Sequence, residues 1–220
     1  MKLACLFSGG KDSCLALHKS GKLGEVKYLL NVLTETRDSF MFHKPEMKLL
    51  KRQASELGIK LIVEKSAGEK EKELIDLKRL ILKVKDKVEG IVVGGIASNY
   101  QGSRVKKICD DVGLEFIAPL LDYDSDKLWG ELLDGGFEVV LTKISCEGIG
   151  KEWLGKIIDK KNFAELKKLA EKYKFRMDFE GGEAESAVLF MPEFKKHIKL
   201  KFNVHSEGKY RHWMEDLKVE

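Results

Sequence analysis

The chain has 220 residues, of which 43% are hydrophobic, and its 40 basic and 36 acidic side chains are spread along the whole length to give a net charge of +4. Such a nearly balanced, unclustered charge excludes the basic footprint that is typical of nucleic-acid-binding proteins, so we expect no nucleic-acid partner. No segment approaches the roughly 20 continuous apolar residues of a membrane helix, and the N-terminus leads into a strand-like run instead of a signal peptide. The sequence therefore predicts a cytoplasmic protein with no membrane partner.

The first two-thirds of the chain alternate short apolar runs with longer amphipathic segments. This alternation is typical of parallel strands joined by crossover helices. The apolar runs predict strands over residues 2–7, 26–33, 60–63, 90–93, 115–117 and 137–142. The amphipathic segments predict helices over residues 12–19, 46–57, 70–87, 103–112 and 125–133. We therefore expect an α/β fold with a doubly wound parallel sheet.

The pattern changes after about residue 144. A glycine-spaced stretch leads to one predicted helix over residues 163–173, and strand-like runs follow it near the C-terminus. No Pro/Ser-rich linker marks the change. We predict a main domain of residues 1–143 and a smaller α+β lobe of residues 144–220.

A glycine turn lies between the first predicted strand and the first predicted helix. Its sequence is Ser8-Gly9-Gly10-Lys11-Asp12-Ser13. Adjacent glycines let the backbone N–H groups converge, and the helix start adds unpaired donors and a partial positive charge, so this turn suits an anion. Lys11 adds a full charge, and two hydroxyls add donors. A turn with a purely structural role has no use for this set of side chains, whereas a triphosphate would use all of them.

The hexapeptide differs from the two best-known nucleotide loops. A Walker A loop requires glycine and Ser or Thr where this chain has Cys5 and Asp12. The Gly-x-Gly-x-x-Gly fingerprint of Rossmann domains is also absent from these six residues. The hexapeptide instead resembles the Ser-Gly-Gly-x-Asp-Ser loop of the N-type ATP pyrophosphatases, which split ATP into AMP and pyrophosphate.

This resemblance implies an adenine nucleotide α-hydrolase-like fold with ATP and Mg²⁺ as cofactors, and Asp12 is the candidate Mg²⁺ ligand. It also implies that Lys11, Asp12 and Ser13 have catalytic roles. The residues that it predicts to bind ATP in this loop are Ser8, Gly9, Gly10, Lys11, Asp12 and Ser13.

A second glycine-containing loop follows the strand predicted at residues 90–93, and it contains Gly94, Gly95 and Ile96. Loops at the carboxyl ends of neighbouring parallel strands line one crevice, so we expect these three residues to contact the nucleotide. The loop resembles the second nucleotide contact of the same enzymes.

Residues 35–43 follow the second predicted strand and contain the pattern Ser-x-Met-x-His, which ends at His43. The pattern resembles the diphthine–ammonia ligase branch of the N-type ATP pyrophosphatases. Taken alone, His43 fits a surface or structural histidine better than a ligand-binding one. In this branch we expect His43, Tyr100 and Arg104 to contact the substrate.

Residues 180–186, the acidic segment, contain Glu180, Glu183 and Glu185 around a glycine pair. The segment resembles a glycine-rich acidic stretch of the same branch, which carries an aromatic residue and a threonine where this chain has Ala184 and Ser186. Read without the family, the three glutamates fit a solvated turn equally well. With it, they are predicted to bind substrate, because carboxylates attract the trimethylammonium group of diphthine.

The resemblance spans residues 3 to about 194 and implies one reaction. ATP activates the carboxylate of diphthine on translation elongation factor 2 as an acyl adenylate, and ammonium then gives diphthamide, AMP and pyrophosphate. The first alternative is a tRNA-modifying sulfur transferase of the same superfamily, which would need a reactive cysteine such as Cys146. The second is a nucleotide-binding protein without turnover. Whether the chain forms a homodimer is left open by the sequence.

Overall fold

The computed structural model describes residues 1–34, 47–67, 72–94 and 99–220, without the side chains of residues 72 and 99–101. The described chain folds into two compact units. Unit 1 comprises Met1–Ser8 and Asp12–Leu121, and unit 2 comprises Gly9–Lys11 and Asp122–Glu220. The main division thus follows Leu121, earlier than the boundary that the sequence pattern placed after residue 143.

Unit 1 is built on a five-stranded sheet. Its strands are β1 (Lys2–Leu6), β2 (Glu25–Thr34), β3 (Lys60–Ser66), β4 (Gly90–Val92) and β5 (Glu115–Ile117). Their order is β3-β2-β1-β4-β5, and each neighbouring pair is parallel. Successive residues Leu3, Ala4 and Cys5 of β1 are all fully buried, as expected of a parallel strand covered on both faces. The predicted doubly wound parallel sheet is confirmed.

In the described parts of the connections, four helices join these strands: α1 (Lys11–Ser20), α2 (Met47–Leu57), α3 (Lys72–Leu82) and α4 (Asn99–Val112). Apolar side chains of α3 and α4 join those of β1, β2 and β4 in one buried cluster. The helix predicted over residues 70–87 is too long, because α3 ends at Leu82. Beyond it, the N–H groups of Lys83 and Val84 bond three residues back, which tightens the chain into a 3₁₀ turn at Lys85–Lys87.

Unit 2 contains a four-stranded antiparallel sheet and two helices. The strands are β6 (Glu138–Ser145), β7 (Ala184–Phe190), β8 (Leu200–Glu207) and β9 (Arg211–Val219), in the order β7-β6-β9-β8. The helices are α5 (Ser125–Asp134) and α6 (Lys160–Tyr173). The predicted C-terminal α+β lobe is confirmed, but the assignment of residues 137–142 to the parallel sheet is wrong. Residues 138–142 lie in β6, which pairs antiparallel with β7 and β9.

Trp129 of α5 is fully buried in the core of unit 2. Its ring packs against Phe163 and Phe179, with centroids 5.5 and 6.1 Å away. Its indole N–H donates a 2.7 Å hydrogen bond to the carbonyl of Met177. Because a buried indole N–H needs such a partner, Trp129 fixes the chain just ahead of the acidic segment.

The helices that the structure describes include none that is long and apolar enough to cross a membrane.

Candidate active site

The order of the parallel sheet changes direction between β1 and β4, which are neighbours although they are distant in sequence. In doubly wound folds, ligands bind outside the carboxyl ends of the strands at such a switch point. The phosphate loop, residues 8–13, follows β1 and Gly94 follows β4. The fold thus brings two of the predicted nucleotide-binding elements to the position where such a ligand is expected.

Gly94 packs directly against the start of α1. A Cβ atom at Gly94 would lie 2.8 Å from the Cα and N atoms of Ser13 and 2.9 Å from the carbonyl carbon of Asp12. These neighbours are backbone atoms, which cannot move aside as a flexible side chain can. Glycine at position 94 is therefore required by the close approach of the second loop to the phosphate loop.

Asn31 of β2 holds the residue that precedes the phosphate loop. Its side-chain amide donates a 2.9 Å hydrogen bond to the carbonyl of Phe7, and the N–H of Phe7 donates to the carbonyl of Leu30 at 2.8 Å. Only 7% of Asn31 is exposed, so the amide stays with Phe7 and does not turn to solvent. The chain therefore leaves β1 in a fixed direction. Sequence reasoning missed Asn31, because a polar residue inside an apolar run gives no local signal of this contact.

Two serine hydroxyls meet at the base of the phosphate loop. The Oγ atoms of Ser8 and Ser13 are 3.2 Å apart, and the N–H of Ser8 donates to Oγ of Ser13 at 3.3 Å. Gly9, between them, has φ of 78°, which glycine adopts without strain. The loop therefore curls so that Ser8 and Ser13 are brought together, as expected for residues that act on one ligand.

Lys11 is only 3% exposed, and it contacts Asp178, Phe179 and Ser186 of unit 2. Its Nζ donates a 2.6 Å hydrogen bond to the carbonyl of Asp178 and lies 5.6 Å from the centroid of the Phe179 ring. Its main-chain N–H donates to Oγ of Ser186 at 3.2 Å. A lysine so deeply buried is rare unless its charge has partners. The structure supplies them from the chain around the acidic segment.

The Asp178 carboxylate organises that part of the chain. It accepts hydrogen bonds from the guanidinium of Arg176 at 3.0 and 2.6 Å and from the N–H of Glu180 at 3.0 Å. Burial alone would raise the pKa of Asp178. The hydrogen bonds from Arg176 and Glu180, with the charges of Arg176 and Lys11, outweigh this effect and hold the pKa of Asp178 below its usual value. Asp178 is therefore a carboxylate at neutral pH.

The three glutamates of the acidic segment have different environments. Glu180 is exposed. One carboxylate oxygen of Glu183 accepts from the N–H of Arg176 at 3.2 Å, and the other is buried with no hydrogen-bond partner among the described residues. Glu185 forms a 2.9 Å ion pair with Lys143 across the β6–β7 register. Lys143 thus offsets part of the charge of Glu185.

The remaining predicted site residues are only partly described. His43, Gly95 and Ile96 lie outside the described residues, as does the side chain of Tyr100. Arg104 lies half-buried on α4, and Asp12 lies half-buried in the first turn of α1. Among the residues that the structure describes, no group of three or more His, Cys, Asp or Glu side chains is arranged to hold a metal ion. The role of Asp12 toward Mg²⁺ stays a prediction.

Sequence reasoning also missed Asp178, Phe179 and the contact between Ser186 and Lys11. Lys11 and Asp178 are separated by 167 residues, and the bond between them uses a main-chain carbonyl that every residue carries. No local pattern can predict such a contact. The hydroxyl of Ser186, at the end of the acidic segment, was the one feature of the sequence that could have indicated a polar contact with the phosphate loop.

Two family models match the chain. Residues 1–116 match the diphthamide synthase N-terminal domain, and residues 124–218 match the diphthamide synthase C-terminal domain. The gap between the two matches contains the main division between the two compact units, which falls between Leu121 and Asp122.

Curated relatives carry the name diphthine–ammonia ligase. The one from Schizosaccharomyces pombe is 33% identical over 91% of this chain, which spans 36% of that protein's length. Those from Danio rerio and Bos taurus are 30% and 29% identical over 90% of this chain, which spans 86% and 82% of their lengths. The chain is also similar to a crystal structure described as a predicted subunit of tRNA methyltransferase from Methanocaldococcus jannaschii. The match has 19% identity and a TM-score of 0.47, and it covers 90% of this chain and 99% of that one. The chain therefore belongs to the diphthamide synthase family, as the resemblance of its loops predicted.

Proposed function

We propose that this protein is a diphthine–ammonia ligase that uses ATP to amidate the carboxylate of diphthine on translation elongation factor 2. The products are diphthamide, AMP and pyrophosphate. The proposal is supported by family membership and by the name shared by the curated relatives. The observation that carries it is a buried lysine in a glycine loop at the switch point of a doubly wound sheet.

The residues of the loop fit a triphosphate. The start of α1 presents main-chain N–H groups that the helix itself cannot satisfy, and its dipole favours negative charge. Gly94 keeps the space next to Ser13 free of a side chain. Lys11 carries three N–H donors on its ammonium group, and one of them bonds to the carbonyl of Asp178. This donor set of amides, hydroxyls and one cation is the chemistry that a leaving pyrophosphate requires.

ATP supplies the leaving group that a carboxylate lacks. In the proposed reaction, the diphthine carboxylate oxygen attacks the α-phosphorus, the bond to the β-phosphate oxygen breaks, and pyrophosphate leaves. Ammonia then attacks the acyl carbon, AMP leaves, and ammonia gives up a proton to form the amide. We assign Lys11, Ser8 and Ser13 to hold the pyrophosphate, and Gly9, Gly10, Gly95 and Ile96 to contact the nucleotide. Mg²⁺, with Asp12 as its candidate ligand, would offset phosphate charge.

Substrate recognition is assigned to the acidic segment. Glu180 and Glu183 present negative charge to the trimethylammonium group of diphthine, while Glu185 is offset by Lys143. His43, Tyr100 and Arg104 are also proposed as substrate-binding residues.

The thiols argue against the alternative of tRNA sulfur transfer. Burial, together with the nearby charge of Glu183, raises the pKa of Cys146 to about 11. Burial and the charge of Asp110 raise the pKa of Cys109 to about 11 as well. Burial also raises the pKa of Cys5 well above its usual value. Because the thiolate is the reactive form, these three cysteines are poor persulfide carriers at neutral pH.

One assay separates the two functions. The protein is incubated with ATP, ammonium and elongation factor 2 bearing diphthine, and AMP and amide are measured together. We expect both products in equal amounts, and neither with Lys11→Ala, whose fold is checked by circular dichroism. AMP formed with tRNA and a sulfur donor, but not with elongation factor 2, would overturn the proposal.

A further inference from the structure

The edge of β7 holds the phosphate loop through main-chain contacts. β7 is an edge strand, and β6 pairs with it on one side. The N–H of Val188 on β7 donates a 3.0 Å hydrogen bond to the carbonyl of Gly9. Two residues earlier on the same strand, Oγ of Ser186 accepts a 3.2 Å hydrogen bond from the N–H of Lys11. The turn from Gly9 to Lys11 thus lies along β7, which is why these residues belong to unit 2.

The Ser186 contact answers a local need of α1. The first N–H groups of a helix have no partner within the helix and are usually satisfied by a Ser, Thr, Asp or Asn just ahead of it. The two residues ahead of Lys11 are Gly9 and Gly10, which carry no side chain that could cap the helix. Ser186, 175 residues away in sequence, supplies a hydroxyl in their place. β7 thus supplies to the Lys11 amide a hydroxyl acceptor that the two glycines cannot supply.

We propose that Ser186 is a positioning residue for the phosphate loop. Its hydroxyl holds the amide of Lys11 and thereby sets the direction of the turn that presents Lys11. Ser186 acts through this turn and does not contact the reacting atoms. Since the acidic segment ends at Ser186, this bond also ties the strand that carries Glu185 to the lysine of the phosphate loop. The inference rests on the proposed function for its consequence in ATP binding, but the bond itself is independent of it.

The first test measures the bond without any activity. Hydrogen exchange at the Lys11 amide is followed by NMR in the ligand-free protein. Ser186→Ala removes this hydroxyl acceptor, and we expect exchange to speed up about tenfold, which corresponds to about 1.4 kcal/mol. Ser186→Thr keeps a hydroxyl and should stay within about twofold of the wild type. Unchanged exchange in Ser186→Ala would overturn the inference.

Ser206→Ala is the matched control. Ser206 lies on β8, at the opposite edge of the same sheet, and its Oγ is 2.8 Å from Nδ1 of His212. This variant also removes one hydroxyl contact from the sheet but should leave the Lys11 amide unchanged. A similar acceleration in Ser206→Ala would show a general loosening of the sheet and overturn the positioning role. If Ser186→Ala does not fold, Ser186→Cys, with a weak sulfur acceptor of similar size, takes its place.

The second test separates the inference from the proposed function. In the amidation assay, Ser186→Ala should raise KM for ATP about tenfold, with KM for elongation factor 2 within about twofold, and Ser186→Thr should restore it. A wild-type protein without amidation refutes the proposed function but leaves the exchange result standing. If the wild type is active and Ser186→Ala matches it in both Lys11 amide exchange and KM for ATP, the positioning role of Ser186 is refuted while the proposed function stands.

Discussion

Replacing Gly94 by alanine should separate the two loops that we assign to ATP. The added Cβ lies 2.8 Å from backbone atoms of Ser13, whereas non-bonded carbon atoms rest about 3.5–4.0 Å apart, so α1 or the chain after β4 must move by about 0.7 Å or more. Overpacking of this kind costs about 1–3 kcal/mol of unfolding free energy. Because the displaced atoms belong to the phosphate loop, we also expect ATP affinity to fall at least about tenfold.

Gly130 provides the matched control. It lies within α5, and a Cβ there would have no atom within 4 Å. Gly130→Ala should therefore raise the unfolding free energy by about 0.5–1 kcal/mol, because alanine is the better helix former, and leave ATP affinity unchanged. Urea unfolding gives the stabilities and calorimetric titration gives the ATP affinities. A Gly94→Ala protein that matches the wild type in both measurements would refute the close approach of the two loops.

Three further predictions concern unit 2. Asp178→Asn should lower the unfolding free energy by about 1 kcal/mol at neutral pH, because the carboxylate accepts bonds from Arg176 and Glu180. The pKa of Asp178 is lowered in the folded state, so the stability that its carboxylate contributes is lost as pH falls below about 4. In acid unfolding experiments, the difference in unfolding free energy between Asp178→Asn and the wild type should therefore shrink between about pH 5 and pH 2. A difference that stays constant over this range would contradict the prediction. Trp129→Phe should cost about 1–3 kcal/mol in urea unfolding, because it leaves the Met177 carbonyl without its 2.7 Å donor, and a loss near zero would count against this bond. Glu183→Ala should raise KM for elongation factor 2 and leave ATP affinity within about twofold; a fall in ATP affinity alone would show that the acidic segment serves the nucleotide.

The parallel sheet and the phosphate loop could be predicted from sequence because their signals are local. An apolar run, two glycines and a helix start occupy adjacent positions, and they define the turn from β1 into α1. The helix ends were also marked by glycine in several places. The end of α3 was not, because the apolar pattern continues through Val84, which is buried beyond the helix.

The fold of β6 could not be predicted in the same way. Val139, Val140 and Leu141 are all buried, so this central strand of an antiparallel sheet has the same continuous apolar pattern as a parallel strand. Its true partners are β7 and β9, which follow much later in the chain.

Contacts between segments that are distant in sequence also limit what could be predicted of the candidate site. Glu185 was predicted to attract a cation, but strand pairing places Lys143 directly opposite it. Lys11 was predicted from its loop, but its partners Asp178 and Ser186 are fixed by tertiary structure. Charges and hydrogen bonds that depend on register or on distant segments need the fold before they can be assigned.

In the proposed function, this chain joins ammonia to a carboxylate at the expense of ATP. The most direct test supplies isotopically labelled ammonium with ATP and elongation factor 2 bearing diphthine, and follows the modified peptide by mass spectrometry. We expect one labelled nitrogen in the peptide for each AMP released, and neither product when Lys11→Ala replaces the wild type. AMP release without labelled nitrogen in the peptide would contradict it.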